Sequence, residues 1–232
     1  GLVLAGGVGT RLRPLTHSIP KTLVPVANRP ILHYVMDHIN AVGITEVGII
    51  VSPSTDNHIR NAIAENTWEL DITFITQEEP LGLAHTVMVS EKFLSDDPFL
   101  MILSDNLIGG GVDRLVSSFS ADKTADAAVM LKEVSDPTRF GVAVLDEDGL
   151  LKQVVEKPRK FISNLALVGA YCFSSAIHEA VRNITPSWRG ELEITDAIGY
   201  LLDCGRKVTA HKLKEWWMDC GNHIDLLAAN QK

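Results

Sequence analysis

The chain has 232 residues, of which 46% are hydrophobic and 22% charged, and its formal net charge is −8. This length allows one large domain with a sizeable hydrophobic core, and the composition is ordinary for a globular protein. The negative charge argues against nucleic-acid polymers as partners, because a basic protein face is needed to neutralise their phosphates. No apolar run is long enough to span a bilayer, so we expect no membrane partner.

The cysteines and the first residues of the chain are informative about the cellular compartment of the protein. Cys172, Cys204 and Cys220 show no spacing typical of a metal site or a disulfide framework. No segment resembles a signal peptide. We therefore expect a cytoplasmic protein with reduced cysteines. Because the chain begins in or next to its first predicted strand, we also expect a few residues to precede Gly1.

The first apolar segment, residues 2–5, predicts a buried strand, and a glycine-rich loop follows it. The loop glycines are Gly6, Gly7 and Gly9. They permit backbone conformations with positive φ, so that N–H groups can turn inward around an anion. Donors and positive charge follow directly at Thr10, Arg11 and Arg13. This pattern favours a phosphorylated ligand.

Two common phosphate-binding motifs do not match this loop. The dinucleotide-binding motif needs a third glycine where this chain has Leu12. The Walker motif needs Gly-Lys before Ser or Thr, whereas this chain has Gly9-Thr10-Arg11. Prolines follow at positions 14, 20, 25 and 30, and they exclude a regular helix over residues 13–29. We expect an extended segment that carries Lys21 back toward the loop.

Hydrophobic periodicity predicts an α/β fold. Strands and helices alternate up to about residue 125, with helices expected over about residues 54–67 and 83–93. Such alternation predicts a parallel sheet with helices on both faces and ligands at the carboxyl ends of the strands. Beyond residue 125, strands follow one another more closely, and Asp148-Gly149 is typical of a hairpin turn. We expect a single domain over residues 1–232, with halves at about 1–125 and 126–232.

Asp105 and Asp219 are candidate metal ligands. Each follows an apolar stretch, and Asp219 also precedes Gly221. Two carboxylates beside a triphosphate suit Mg²⁺, which prefers a few protein oxygens together with phosphates and water. Aspartates at strand ends also cap turns, and the spacing by itself leaves both interpretations open.

The chain resembles the sugar-phosphate nucleotidyltransferases through a series of motifs in that family's order. The motifs are Gly6-Gly-Val-Gly-Thr-Arg-Leu12, Lys21-Thr-Leu-Val-Pro-Val26, Leu103-Ser-Asp-Asn106, Arg139-Phe-Gly-Val142, Glu156-Lys-Pro158, Leu165-Ala-Leu-Val-Gly169, Arg189-Gly-Glu-Leu-Glu-Ile-Thr-Asp196 and Trp217-Met-Asp-Cys-Gly221. The resemblance implies the nucleotide-diphospho-sugar transferase fold, a Rossmann-like mixed, mostly parallel sheet flanked by helices.

Within that family the chain looks like the glucose-1-phosphate thymidylyltransferases. The resemblance implies transfer of a nucleotidyl group from dTTP to glucose 1-phosphate, with Mg²⁺ as cofactor. The half at about 1–125 then binds the nucleotide and the half at about 126–232 the sugar. We also expect a homo-oligomer, a dimer or a tetramer. UTP and other nucleotides stay open, because one methyl group is worth only about 1 kcal/mol of discrimination.

The resemblance also assigns roles to single residues. The catalytic residues are Arg11 for the triphosphate, Lys21 for the α-phosphate and Lys157 for the sugar phosphate. The nucleotide contacts are Leu4, Ala5, Gly6, Gly7, Gly9, Thr10, Arg11 and Asp105, with Gln77 and Gly82 at the base. The sugar-phosphate contacts are Gly141, Glu156, Lys157, Val168 and Tyr171. The metal ligands are Asp105 and Asp219. The charges of residues 189–196 are expected to form the pocket rim and a subunit contact.

A non-catalytic nucleotide-sugar sensor or assembly subunit is the alternative from another class. Such a protein would have lost the charged site, whereas this chain has all five of its charged residues: Arg11, Lys21, Asp105, Lys157 and Asp219. Two positions depart from the family pattern, with Thr22 in place of a usual glutamine and Cys220 in place of a common threonine. Longer members continue into a left-handed β-helix, of which these residues contain no repeat. Trp216 and Trp217 are expected in the core or in a pocket wall.

Overall fold

A computed structural model describes all of residues 1–232. Its strands are β1 (Leu2–Leu4), β2 (Pro25–Val26), β3 (Arg29–Pro30), β4 (Glu46–Val51), β5 (Asp71–Thr76), β6 (Phe99–Leu103), β7 (Asn106–Ile108), β8 (Ala127–Glu133), β9 (Gly141–Leu145), β10 (Leu151–Glu156), β11 (Leu165–Phe173), β12 (Val208–Lys212) and β13 (Trp217–Asp219). Its helices are α1 (Ile31–Ala41), α2 (Asp56–Ala62), α3 (Leu83–Val89), α4 (Glu91–Leu94), α5 (Asp113–Ala121), α6 (Ala176–Arg182), α7 (Ile194–Asp203) and α8 (His223–Ala229).

The chain divides into two compact units, neither of which is continuous in sequence. Unit 1 comprises Gly1–Pro80, Met101–Asp113 and Glu215–Lys232. Unit 2 comprises Leu81–Leu100 and Arg114–Lys214. The assignment of a nucleotide-binding half and a sugar-binding half stays a prediction.

A parallel sheet forms the centre of unit 1. β1 pairs with β4 on one side and with β6 on the other, and β4 pairs with β5. Residues 2–4 are fully or nearly fully buried, as expected for a strand covered on both faces. Because β1 and β6 run in the same direction, the glycine loop after β1 and Asp105 after β6 leave the sheet at the same edge.

The proline-rich segment after the glycine loop forms no α-helix, as predicted. It contains 3-10 turns at Thr10–Leu12, Leu15–His17 and Lys21–Leu23 and the short hairpin of β2 and β3. Its apolar side chains join a cluster made of Leu12, Val24, Val26, Ile31, Leu107, Cys220, Leu226 and Ala229. This burial holds the segment that carries Lys21 against the segments that carry β7 and β13.

Unit 2 contains a mixed sheet. β11 pairs antiparallel with β8 and β9, β9 pairs antiparallel with β10, and β12 pairs parallel with β8. β11 is buried along its whole length, and helix α7 packs against β10. The predicted α/β class, with a mixed, mostly parallel sheet flanked by helices, is confirmed.

Several boundaries differ from the sequence prediction. The helix expected over residues 54–67 ends at Ala62, and two residues after it, Asn66 and Glu69, have φ of 39° and 56°. The helix expected over residues 83–93 is divided at Ser90 into α3 and α4. All three cysteines are free. No helix has the length and apolar character needed to cross a membrane.

Candidate functional site

The glycine loop of unit 1 folds back against Lys21. Gly9 has φ 68°, a conformation that favours glycine, and a Cβ there would lie 2.5 Å from the Cβ of Lys21. The Thr16 hydroxyl donates to the Gly9 carbonyl at 2.7 Å and holds the loop in place. A side chain at position 9 would therefore displace Lys21.

Lys21 is ion-paired with Asp105 at the carboxyl edge of the sheet. Its Nζ contacts Asp105 Oδ2, and the two side chains are only 17% and 12% exposed. Burial opposes the charge on both groups, but their mutual attraction outweighs it. The pKa of Lys21 is raised and the pKa of Asp105 is lowered, so both groups are charged at neutral pH.

Asp219 is brought to the same place by β13. This strand pairs antiparallel with β7, so that Asp219 lies opposite Asn106, and the Cys220 N–H donates to the Asp105 carbonyl at 2.9 Å. Burial, and then repulsion from Asp105, raises the pKa of Asp219 to about 7. Two carboxylates therefore share one buried ammonium group.

This donor set fits a divalent cation. One lysine does not balance the negative charge of two closely spaced carboxylates, so a second cation would stabilise them. Carboxylate oxygens are also the ligands that Mg²⁺ prefers. No group of three His, Cys, Asp or Glu side chains is placed to hold a metal ion. Asp105 and Asp219 would therefore need further oxygen ligands from phosphate and water.

Replacing Asp219 with Asn is expected to stabilise the metal-free chain more at pH 8 than at pH 5. The pKa of Asp219, about 7 in the folded chain, exceeds the usual aspartate value of 3.8. Between these values the folded state binds more protons than the unfolded state, so this group's contribution to stability falls as pH rises through that window. Asparagine imitates the protonated acid and avoids the loss. Urea unfolding in EDTA at the two pH values measures the difference, and an equal gain at both would contradict the prediction.

Arg11 completes the charged group of unit 1. It is exposed, and its charge acts against the rise in the pKa of Asp219. A Cβ on Gly221 would lie 3.5 Å from Arg11 Nη2 and 3.1 Å from Asp219 Oδ1, so this glycine leaves room for both side chains. The structure thus brings Arg11, Lys21, Asp105 and Asp219 together. The other predicted nucleotide contacts in unit 1, Leu4, Ala5, Gly6, Gly7 and Thr10, lie in or directly after β1.

The two predicted base contacts belong to different units. Gln77 follows β5 in unit 1, and its N–H donates to the Val51 carbonyl at 2.8 Å. Gly82 precedes α3 in unit 2 and has φ 107°. A Cβ there would lie 2.4 Å from the Leu192 carbonyl oxygen. This close backbone approach accounts for Gly82 without a ligand, so its contact with a base stays a prediction.

Glu156 is the centre of a polar cluster in unit 2. It ends β10, and its Oε1 accepts from Lys157 Nζ at 2.9 Å. Its Oε2 accepts from the Thr195 hydroxyl at 3.3 Å. Lys157 has φ 39°, which is uncommon for a residue with a side chain. The chain therefore turns sharply at the point where the two charges meet.

Arg189 lies inside this cluster, rather than only at its rim. Its guanidinium contacts Glu156 at 3.6 Å, Glu191 at 2.9 Å and Glu193 at 3.1 Å. Glu193 is 2% exposed, burial raises its pKa, and it also accepts from the Ser187 hydroxyl at 2.9 Å. Arg189 thus forms ion pairs with three glutamates. Because it lies beside Glu156 and Lys157, it gives the cluster a second cation.

The remaining predicted residues of unit 2 surround Glu156 or lie on β11. Gly141 is paired with Glu156 across β9 and β10, and a Cβ on it would lie 2.7 Å from Thr195 Cγ2 and 3.1 Å from Glu156 Oε2. Val168 and Tyr171 are buried on β11, where the ladder to β8 is interrupted between Leu167 and Tyr171. Such irregularities are common next to binding sites.

Two residues that contact the predicted site were not anticipated. Thr195 reaches Glu156 from the start of α7, and Asn106 contacts Asp105. The available signal was their position in the motifs, since Asn106 directly follows Asp105 and Thr195 lies in the Arg189–Asp196 motif. Trp216 is 41% exposed and Trp217 is partly buried, so neither lies in the fully buried core, and their place in a pocket wall stays a prediction.

Known proteins match this chain over its whole length. A family model described as nucleotidyl transferase matches residues 1–232. A glucose-1-phosphate thymidylyltransferase from Streptomyces antibioticus is 51% identical over 231 residues, which are 99% of this chain and 65% of that protein. A UTP–glucose-1-phosphate uridylyltransferase from Haloferax volcanii is 36% identical over 233 residues, which are 100% of this chain and 95% of that protein.

A solved structure has the same fold. It is a crystal structure of a candidate glucose-1-phosphate thymidylyltransferase from Bacillus anthracis in complex with a sucrose. Its TM-score is 0.92 at 31% identity, and the match covers 100% of this chain and 93% of that one. By contrast, the chain spans only 65% of the length of its Streptomyces antibioticus relative.

Proposed function

This chain belongs to the nucleotidyl transferase family, and on that premise we propose that it transfers a thymidylyl group from dTTP to glucose 1-phosphate. The products are dTDP-glucose and pyrophosphate. The observation that carries the proposal is the buried group of Lys21, Asp105 and Asp219 beside the glycine loop. The 51% identity to a thymidylyltransferase supports this choice of substrates.

The reaction needs charge and alignment rather than a base. The attacking oxygen of a sugar phosphate is already ionised at neutral pH, so no side chain has to remove a proton from it. The obstacle is repulsion between two phosphates, which positive groups held in fixed positions relieve. A buried lysine and an arginine next to a loop that can bind an anion supply such groups.

Each cation of unit 1 has a separate task in this proposal. Lys21, fixed by its ion pair with Asp105, contacts the α-phosphate and stabilises the charge that develops there. Arg11, exposed at the end of the loop, contacts the outer phosphates and the departing pyrophosphate. The glycine loop contributes backbone N–H groups to the same phosphates.

Asp105 and Asp219 would hold a divalent cation, which we propose is Mg²⁺. When bound, the ion would supply positive charge that offsets the negative charge of the phosphates. The two acids lie on paired segments, which fixes their separation before any ligand arrives.

Unit 2 is proposed to bind the sugar phosphate. Lys157 and Arg189 are the cations of its cluster and would contact the phosphate. Glu156 can accept from a sugar hydroxyl, because Thr195 and Arg189 hold its carboxylate in place. Val168 and Tyr171 would line the pocket beside Gly141.

Replacing Gly141 with Ala is expected to raise the KM for glucose 1-phosphate about tenfold or more while the KM for dTTP stays unchanged. The added Cβ would lie 2.7 Å from Thr195 Cγ2 and 3.1 Å from Glu156 Oε2, so Glu156 must move. Steady-state kinetics with each substrate varied in turn measures both constants. Gly199→Ala is the matched control, since Gly199 lies within helix α7 and a Cβ there meets only Val154 Cγ2, at 4.0 Å. An unchanged KM for glucose 1-phosphate in Gly141→Ala would remove Gly141 from the sugar site.

A uridylyltransferase is the second candidate. The Haloferax volcanii uridylyltransferase, of which this chain covers 95%, favours it. Thymine and uracil differ by one methyl group, which gives only a small preference in binding. The distinction therefore requires measurement with both nucleotides.

Pyrophosphate release tests the proposed function. The chain is incubated with Mg²⁺, with each of dTTP, UTP, CTP and GTP, and with several sugar 1-phosphates. We expect the highest kcat/KM for dTTP with glucose 1-phosphate. Higher kcat/KM with UTP would identify a uridylyltransferase, and no release with any pair would favour the non-catalytic sensor.

We also propose that the chain associates with copies of itself. The large side chains of Phe161 and Trp188 are 73% and 69% exposed, which favours a protein contact at these positions. Sedimentation velocity measures the oligomeric state, and a monomer at micromolar concentration would contradict the proposal.

A further inference from the structure

We propose that Asn106 is a positioning residue that orients Asp105 for a divalent cation, and that the Trp217 indole fixes Asn106 in turn. The inference rests on the proposed function, in which Asp105 holds that cation. It adds a role for two side chains that touch neither the cation nor phosphate in this account.

Two hydrogen bonds in series connect the three side chains. The Trp217 Nε1–H donates to Asn106 Oδ1 at 2.6 Å, and Asn106 Nδ2 donates to Asp105 Oδ1 at 2.9 Å. The oxygen and nitrogen of an amide look alike, so the direction of such a chain depends on its partners. An indole N–H can only donate. Trp217 therefore directs the amide oxygen toward itself and the amide NH₂ toward Asp105.

This direction gives the two oxygens of Asp105 different partners. Oδ1 accepts from Asn106, whereas Oδ2 contacts the Lys21 ammonium group. Asn106 is 2% exposed and Asp105 is 9% exposed, so water competes little for either bond. With both oxygens engaged, the carboxylate plane is set before a cation binds. Second partners of this kind typically orient metal-binding carboxylates.

The Trp217–Asn106 hydrogen bond also connects the segments that carry Asp105 and Asp219. Trp217 lies on β13 and Asn106 on β7, and in the pairing of these strands Asn106 is opposite Asp219. The backbone adds a further connection, from the Cys220 N–H to the Asp105 carbonyl at 2.9 Å. The Trp217–Asn106 bond therefore ties the segment carrying Asp219 to the residue next to Asp105. A change in this bond alters the position of both acids.

A purely structural role would have different consequences. If Asn106 only filled space, an apolar residue of similar size would leave cation affinity unchanged. If Trp217 acted only through its ring, phenylalanine would serve equally well. The proposal instead requires one particular hydrogen-bond donor at each position.

Mn²⁺ binding to the whole chain without nucleotide, followed by electron paramagnetic resonance, tests the proposal. Asn106→Leu is expected to weaken Mn²⁺ binding about 10- to 100-fold, the usual loss when a partner of a metal ligand is removed. Trp217→Phe, which keeps the ring and loses the N–H, is expected to lose affinity by a smaller factor in the same direction. Trp216→Phe is the matched control and is expected to bind as the parent chain does. Circular dichroism verifies that each variant is folded.

Parent-like Mn²⁺ affinity in Asn106→Leu would overturn the proposal, and so would an absence of Mn²⁺ binding by the parent chain. Parent-like affinity in a folded Trp217→Phe would overturn the role of the indole. If Asn106→Leu does not fold, the result for Trp217→Phe tests the proposal in its place. Pyrophosphate release by the parent chain tests the proposed function separately. A parent chain that binds Mn²⁺ and releases no pyrophosphate would contradict that function and leave the role of Asn106 standing.

Discussion

Replacing Asp105 with Asn is expected to lower kcat for pyrophosphate release by about 10²- to 10³-fold or more while the chain stays folded. The substitution removes the partner of Lys21 and one of the two carboxylates proposed to hold the divalent cation. Asn has nearly the same shape, so packing at this buried position is preserved. The loss of repulsion also allows Asp219 to ionise more readily and to pair with Lys21, which limits the cost in stability.

Stopped-time assays at saturating substrates measure this loss, and thermal unfolding verifies the fold. Asp97→Asn is the matched control, because Asp97 is an exposed aspartate of unit 2 outside the charged group. We expect it to leave kcat unchanged. A folded Asp105→Asn variant with kcat within a few-fold of the parent would remove Asp105 from the catalytic machinery.

Replacing Lys21 with Met is expected to lower kcat by a similar or larger factor and also to destabilise the chain at neutral pH. Methionine retains the length and apolar stem of lysine but lacks the charge that would contact the α-phosphate. It also leaves Asp105 and Asp219 buried without their shared cation. Removing one partner of a buried ion pair typically costs about 3–5 kcal/mol, and protonation of the acids reduces that cost at lower pH.

Urea unfolding at pH 5 and pH 8, together with kcat at pH 8, separates the two effects. The difference in the free energy of unfolding between parent and variant is expected to be larger at pH 8. Lys92→Met is the control, since Lys92 is exposed on α4. Full activity in Lys21→Met would contradict the catalytic role of Lys21. An equal loss of stability at both pH values would contradict its role as the cation shared by Asp105 and Asp219.

Much of unit 1 followed from local sequence signals. The apolar strand, the glycines and the prolines predicted a strand, a loop and a segment without an α-helix, and each is present. Gly9 also has the positive φ and the close contact with Lys21 that only glycine allows. These features were predictable because they depend on backbone conformation within a few residues of one another.

The meeting of Asp219 with Asp105 was predictable only through the family resemblance. It depends on the pairing of β7 and β13, which are three residues long each and too short to show a period. The same holds for the Trp217–Asn106 bond. Local patterns do not contain the information that brings a distant segment back to unit 1.

Unit 2 shows the same limit at Glu156. Only the family resemblance marked Glu156 and Lys157 as sugar-phosphate contacts. The structure adds Arg189 and Thr195 to the same carboxylate from a different part of the chain. The break of the predicted helix at Ser90 was missed because apolar spacing continues through it, although the helical hydrogen bonding does not.

Transfer of label from the α-phosphate of dTTP is the direct test of nucleotidyl transfer by this chain. The chain is incubated with α-³²P-labelled dTTP, glucose 1-phosphate and Mg²⁺, and the products are separated. We expect one labelled dTDP-glucose for each unlabelled pyrophosphate released, and an initial rate of labelled product about 10²-fold or more lower in Asp105→Asn. Label that stays in dTTP, or that appears in dTMP without any sugar nucleotide, would contradict nucleotidyl transfer at this site.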